Sequence, residues 1–527
     1  MAGADYVIVG GGVNGLVAAA ILGRKGHKVL LLERSDRIGG CMRSEEITAP
    51  GFIHDVMATT LVLFLTSPAY GALGKDLEAR GFAVAHSDLP TGVLRPDGSS
   101  LLFSRDRARN VAAFEACAKG DGETFATEMG RMGADAPFLF SLLGGSLWSR
   151  QMAMTVAREA WKRGPRALAA WFGEALRPAR SYLESAYASD AIHALWAPWG
   201  LHCGLNPEST YSAQMIKVIA FAVEMAGCPI AIGGVKTLLS AFERLIRDQG
   251  GEIRCDADVD RIEIDPSNRV RTLRLSSGER IEALKGIVCS MTPSQLYGRL
   301  LRDHPPSSEV AASLKNYRYG KGDMQIHYAL DAPPKWKGGE ELGKVALLHV
   351  TPGLDGVSRA ANECERGLLP AEPTICVGQP TALDPSRAPA GKAILWLQLP
   401  EAPRYLKGDA AGEISVPSDG RWTGDVREAF ADRVEALFSR HIVDFRSHVI
   451  ARKSYSPADL EAMNVNLVGG DPYGGYCGVD QFFLWRPFAG SINHKTHLPG
   501  LYHIGASTHP GPGLGGVSGF LLANSLR

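Results

Sequence analysis

Near the start of the chain stands Tyr6-Val7-Ile8-Val9-Gly10-Gly11-Gly12-Val13-Asn14-Gly15-Leu16. Tyr6 to Val9 is apolar throughout, the pattern of a strand buried on both faces of a parallel sheet. The glycines fit G-x-G-x-x-G between that strand and a helix over Leu16 to Lys25, which Gly26 ends. Gly10 permits a tight turn, Gly12 lets the backbone approach a pyrophosphate, and Gly15 lets helix and strand pack closely. Phosphate charge then meets the free N–H groups of the helix N-terminus, at Val13 and Asn14. A second strand over Lys28 to Glu33 ends in a carboxylate, 18 residues past Gly15, where ribose hydroxyls are expected. Strand, turn, helix and acid in this register predict dinucleotide binding.

The glycines alone do not choose between a nicotinamide and a flavin nucleotide. The stretch Arg34-Ser35-Asp36-Arg37-Ile38-Gly39-Gly40 resembles the flavoprotein pattern, in which a second glycine pair returns the chain along the FAD pyrophosphate. Flavoproteins of this type usually place Arg next; here Cys41 stands there and Arg43 follows two residues on. At the far end, Gly505 to Gly519 holds six glycines and two prolines in fifteen residues. It is read as a shaped loop after a strand over Leu501 to Ile504, opening at Gly516 and Val517 into a helix that runs to Leu526. A helix N-terminus aimed at the flavin pyrimidine would stabilise negative charge on the reduced ring.

These two end motifs resemble those of bacterial phytoene desaturases and carotenoid isomerases. Gly320-Lys321-Gly322, Gln379-Pro380, Asp384-Pro385-Ser386-Arg387 and Asn466 to Asp471 further resemble the branch called pyridine nucleotide-disulfide oxidoreductase domain-containing protein 2. The resemblance implies FAD as cofactor. It implies an α/β fold with a Rossmann-type, p-hydroxybenzoate-hydroxylase-like FAD-binding domain and a discontinuous mixed α+β substrate domain. It also implies desaturation-type redox chemistry, with hydride passing to flavin N5 and dioxygen or a quinone as final acceptor. By the same resemblance Val259 contacts the adenine, Ser290 lies near the adenosine end, Gly505 and Ala506 border the nucleotide, and Ala58 and Thr59 pass the flavin ring after Gly51-Phe52-Ile53-His54-Asp55.

The nucleotide domain is expected from three segments, 1–60, 225–300 and 480–527, with cover segments at 61–224 (mostly helical) and 301–479 (strands and loops). Such a division suits 527 residues. Asp55 and His509 are candidate catalytic groups, against turn capping for Asp55 and loop hydrogen bonding for His509. Tyr473 or Tyr476 is a candidate for the substrate cavity. Val56 to Leu65, Trp196 and Trp199 suggest a largely apolar organic substrate, although a core has the same composition. Arg150 to Arg180 carries seven basic residues with Trp161, Trp171 and Phe172 interleaved, either a basic amphipathic helix for a membrane surface or a solvated helix face.

Several classes are disfavoured. With 56 basic and 56 acidic residues nothing global attracts nucleic acid. Nine scattered cysteines without C-x-x-C spacing fit free thiols in a reducing, cytoplasmic setting, and neither a redox pair nor a cysteine-rich zinc site. His193 and His202 show no partner at ligand spacing, so no metal is expected. An amine-oxidase-like flavoprotein, a redox-neutral FAD isomerase and a carrier resembling the GDP-dissociation inhibitors remain alternatives. Oligomeric state is not encoded in any motif.

Overall fold

The computed structural model describes residues 3–304 and 306–527. The strand Ala4–Val9 pairs in parallel with Val29–Leu32 on one side and with the second half of Arg280–Ser290 on the other. Glu252–Arg254 adds in parallel beyond Val29–Leu32, and Leu501–Ile504 lies parallel to Arg280–Ser290. Side chains alternate between two cores. Tyr6, Ile8, Leu31, Val288 and Ile504 pack toward the helices, and Val7, Val9, Leu30, Leu32, Ile287 and Cys289 pack under the strands Val259–Ile264 and Val270–Leu275. Both faces are therefore covered, as an apolar parallel strand requires.

The helix Val13–Arg24 is buried from Val13 to Leu22, which its small residues Ala18, Ala19 and Ala20 permit. Lys236–Asp248 and Val517–Ser525 pack beside it. Registers Val9↔Leu32, Val9↔Cys289 and Ser290↔Ile504 bring four strand carboxyl ends to one edge. The loops leaving that edge at Gly10, Glu33, Met291 and Gly505 are where an α/β sheet opens its ligand crevice.

A second sheet runs in the order Val449–Tyr455, Gly322–Leu330, Ala393–Ala402, Ile375–Gly378, Leu347–Val350, Thr91–Leu94, Ser100–Phe103. Its two faces differ. Met324, Ile326, Tyr328, Leu395, Leu397, Leu399, Val377 and Leu348 form an apolar core closed by the helix Gly424–Phe438. Each fully buried leucine there contributes about 2 kcal/mol. The opposite face carries Asp323, Gln325, His327, Trp396, Gln398, Cys376 and His349, the alternate positions of the same strands. Helices between Arg107 and Ala226, with Asp190–Leu201 nearest, roof that face.

Three local details complete the fold. Residues 150–180 are not one helix: Arg150–Arg163 and Pro165–Ala175 are separated at Gly164, because Pro165 lacks the N–H that a continuing helix needs. The Pro- and Gly-rich stretch after Pro352 contains a full helix, Leu354–Glu365. Ile281 to Cys289 is one continuous strand, antiparallel to Val270–Leu275 early and parallel to Ala4–Val9 late. No helix among the described residues is long and apolar enough to cross a membrane.

Candidate functional site

A cavity of about 600 Å³ opens at the carboxyl edge of the first sheet and runs to the polar face of the second. Gly10, Gly12, Val13, Asn14, Glu33, Arg34, Gly39, Gly40, Cys41, Ala58, Thr59, Val259, Ser290, Gly505, Ala506, Gly516 and Val517 all line it. Gly15 stands behind the wall. A Cβ on Gly15 would come within 2.1 Å of the Gly10 carbonyl oxygen, so its work is helix–strand packing.

The two glycine turns hold each other, with Gly39 N donating to Gly11 O at 2.9 Å. Glu33 accepts from Gly11 N at 2.8 Å and from Ser35 N at 2.9 Å, which fixes its carboxylate at the strand end. The N- and C-terminal loops meet directly. Asn14 Oδ1 accepts from Gly519 N at 3.2 Å, and a Cβ on Gly519 would strike the Asn14 carbonyl oxygen at 2.0 Å. Two helix N-termini, at Val13 and Val517, thus converge on one cavity.

Three observations fit a dinucleotide. Both N-caps, Gly12 and Gly516, lack a side-chain cap, whereas Ser67, Asp106, Ser149 and Thr423 cap other helices of the chain. At the Val13 helix the first-turn N–H groups are left for an anion, and at the Val517 helix those of Val517 and Ser518 are, because Gly519 N is taken by Asn14. Gly12 lines the cavity, yet a Cβ built on it would meet nothing within 4 Å. Packing within the chain does not require glycine there; a ligand approaching the backbone would. Burial pushes the Cys41 thiol up to about 11 despite a contact from Asn464, so Cys41 stands in the wall as a neutral thiol.

The two candidate catalytic side chains lie elsewhere. Asp55 is fully buried in an ion pair with Arg387 at 2.9 Å and accepts from Ser44 Oγ at 2.6 Å and from Val235 N at 3.0 Å. Arg387 also reaches Asp384 at 3.1 Å and donates to Ala231 O at 2.7 Å. Asp55 is engaged at both oxygens in joining residues 44–55, 231–235 and 384–387, so it is corrected from catalytic to structural. His509 is also corrected. Its Nε2 bonds the Gly145 carbonyl at 3.0 Å, and burial, with His494 nearby, holds it down at about 3, leaving it neutral and outside the cavity wall. Of the tyrosines, Tyr473 lines the cavity and bonds the Leu201 carbonyl, while Tyr476 packs under Arg318 instead. Trp199 is in the wall; Trp196 is core, 4.9 Å from Phe103.

Beyond the glycine loops the floor is the polar face of the second sheet. Asp323 Oδ2 accepts from Gln325 Nε2 at 2.7 Å and from Gln398 Nε2 at 2.9 Å, while Gln325 Oε1 takes the Trp396 indole N–H. Asp323 Oδ1 is buried without a hydrogen-bond partner. Burial raises the Asp323 carboxyl to about 7 against the pull of those two amides and of the Met324 backbone N–H. Sequence reading misses this cluster. Its signal is present in Asp323-Met324-Gln325-Ile326-His327 and Trp396-Leu397-Gln398, where polar residues alternate inside strands buried on both faces.

The expectation that His202 lacks a partner is overturned. His202 Nε2 lies 2.9 Å from His349 Nε2, and with Cys376 Sγ the three candidate ligand atoms fall within 4.8 Å of one another. Burial holds His202 down at about 4 and His349 well below its usual range. A metal on His349 Nε2 would force the proton onto Nδ1, which is buried without an acceptor, against the habit of metal-bound histidines. His349 Nε2–H donating to His202 Nε2 avoids this cost and leaves the Nδ1–H on His202, a residue of the cavity wall. His193 is a separate case, its Nε2 bonded to the Tyr187 carbonyl at 3.0 Å.

Comparison with known proteins agrees with this arrangement. Residues 8–74 match the model of the NAD(P)-binding Rossmann-like domain. The chain is 26% identical to one of the polypeptides of limonene dehydrogenase from Castellaniella defragrans, over 96% of this chain and 91% of that one. It is 25% identical to pyridine nucleotide-disulfide oxidoreductase domain-containing protein 2 of Rattus norvegicus, over 98% and 92%, and 27% identical to a zeta-carotene-forming phytoene desaturase of Myxococcus xanthus, over 97% and 91%. Among solved structures, an oxidoreductase from Methanosarcina mazei shares the fold with a TM-score of 0.62 at 14% identity, covering 99% of this chain and all of that one. Putrescine oxidase bound to putrescine follows at 0.60 and 15%, covering 99% and 98%. Over nearly its whole length, then, the chain is similar to desaturase- and dehydrogenase-type oxidoreductases and carries their Rossmann-type dinucleotide-binding fold.

Proposed function

We propose that the chain is an FAD-dependent oxidoreductase of the phytoene desaturase-like type, oxidising a largely apolar organic substrate. The observation that carries this is Gly12, whose vacant Cβ direction faces a cavity on which two uncapped helix N-termini converge. Gly10, Gly12, Val13 and Asn14 would hold the pyrophosphate, Glu33 a ribose, Val259 and Ser290 the adenosine end, and Gly505, Ala506, Gly516 and Val517 the other end of FAD. Bound there, FAD supplies a two-electron acceptor. The substrate gives up a hydride and a proton and gains a C=C or C=N bond. Dioxygen, leaving as hydrogen peroxide, or a quinone, leaving as quinol, finally takes the electron pair. The chain's own part is orientation and exclusion of water: Trp199, Tyr211, Phe482 and Met215 wall the inner cavity.

Contact with a lipid surface through residues 150–180 belongs to the same reading. Trp161 is 89% exposed, Met154, Phe172 and Leu176 are exposed beside it, and Arg158, Lys162 and Arg166 are also exposed. Phe140, exposed on the helix Asp121–Gly144 that precedes this segment, is at once part of the cavity wall, so a lipophilic substrate has an apolar approach there.

The test is direct. Purified protein is expected to be yellow, to absorb near ~450 nm as flavins do, and to release FAD on denaturation. Anaerobic addition of candidate apolar substrates should bleach that band. A colourless protein that takes up no added FAD would refute the proposal and favour a carrier.

A further inference from the structure

The floor of the inner cavity is polar where the rest of its wall is not. In register across the second sheet stand Gln325, Gln398, Cys376 and His349, with Asp323 two residues before Gln325 on the same face. Gln325 and Gln398 both spend a side-chain N–H on one oxygen of Asp323. The carboxyl group is thereby held in one rotation, with its second oxygen unpartnered and buried on a residue of the cavity wall. Burying a carboxylate oxygen without a donor is costly. Two glutamines and an indole N–H arranged to orient it would be wasted unless a donor arrives from outside the chain.

We propose that Asp323 Oδ1 is the docking point for a hydrogen-bond donor, a hydroxyl or an amine, on an otherwise apolar substrate. This rests on the oxidoreductase reading and narrows it: the substrate is an alcohol or amine on a hydrocarbon frame, not a bare hydrocarbon. Asp323 is then a specificity-determining residue. Trp199, His202 and Trp396, the last held by Gln325, line the same cavity and would pack against the frame.

Equilibrium dialysis of the oxidised protein under anaerobic conditions tests this without turnover as the readout. The probes share one skeleton: α-terpineol, its methyl ether and its amine analogue. The tertiary carbinol carbon cannot itself become a carbonyl. At pH 9, where the Asp323 carboxyl is ionised, wild-type protein should hold the alcohol or the amine at least ~10-fold more tightly than the ether, the size expected of a hydrogen bond to a charged group. Preference for the amine alone would identify a cationic donor and also supports the proposal. Asp323→Asn keeps the shape and can still accept from both glutamines while placing an N–H where Oδ1 stood; it should lose the preference or turn it toward the ether. Asp323→Leu should bind all three alike. Equal binding of donor and ether probes by the wild type, no binding of any probe up to its solubility, or a preference unchanged in Asp323→Asn would each overturn the proposal. Absence of flavin would sink the oxidoreductase reading and leave these affinities to be judged separately.

Discussion

Gly12→Ala separates ligand binding from folding at a single atom. Gly12 has φ −70° and ψ 172°, a conformation alanine adopts freely, and its Cβ would meet nothing within 4 Å. Stability of the flavin-free protein should hold within about 1 kcal/mol, with a small gain because alanine has less freedom to lose on folding. The new methyl would stand where the pyrophosphate approaches the helix N-terminus. Displacing that anion forfeits one or two charge-assisted hydrogen bonds, about 3 kcal/mol together, or more than ~100-fold in FAD affinity. Gly15→Ala is the contrast. Its Cβ would fall 2.1 Å from the Gly10 carbonyl oxygen, main chain that cannot yield cheaply, so fold and flavin should be lost together. FAD per chain after desalting, FAD titration of the flavin-free protein and its urea midpoint give the three readouts. If Gly12→Ala binds FAD within threefold of wild type, no pyrophosphate lies against that turn. If it unfolds as readily as Gly15→Ala, glycine is needed at position 12 for packing and the argument from its vacant Cβ direction fails.

Three further outcomes follow from the same geometry. Arg387→Met should cost about 3 kcal/mol, the low end for breaking a buried ion pair, because Ser44, Val235, Gly233 and Ser386 still donate to the stranded Asp55 and Asp384; a urea midpoint within ~0.5 kcal/mol of wild type would refute the structural role given to Asp55. Burial raises the Glu401 carboxyl to about 8 although Thr374 donates to both its oxygens. Its folded value therefore exceeds its unfolded one, and the stability tied to its proton is complete below about 4.5 and is lost as pH rises through 8. Between pH 7 and 8 that loss is about 1 kcal/mol, and Glu401→Gln should abolish it in urea titrations; an unchanged pH slope would sink the assignment. For the lipid contact, wild-type protein should cosediment with anionic vesicles at low salt, and Trp161→Ser with Phe172→Ser should weaken this ~10-fold or more; failure of the wild type to bind would remove residues 150–180 from the reading.

What is legible in the sequence follows physical rules of different reach. The glycine turn at Gly10–Gly15, Glu33 and the loop at Gly505–Gly516 announce themselves locally, because a backbone that must turn sharply and approach an anion permits few residues. Their convergence is a long-range fact, yet strands in one parallel register send their carboxyl ends to one edge, so the motifs can be placed together. Asp55 and His509 mislead because a polar residue beside a predicted cavity looks the same in sequence whether it faces in or out. Arg387, 332 positions from Asp55, and Val235, 180 positions away, show that the acid is already engaged. Asp323 shows the opposite failure. Alternation over Asp323 to His327 ordinarily marks a strand with one face in water, but the helices of residues 107–226 roof that face, and the same pattern becomes a polar floor inside the molecule. Whether an alternating strand meets solvent or a ligand is decided by segments far away in the chain. The residues most able to select a substrate are consequently the ones that local pattern reveals least.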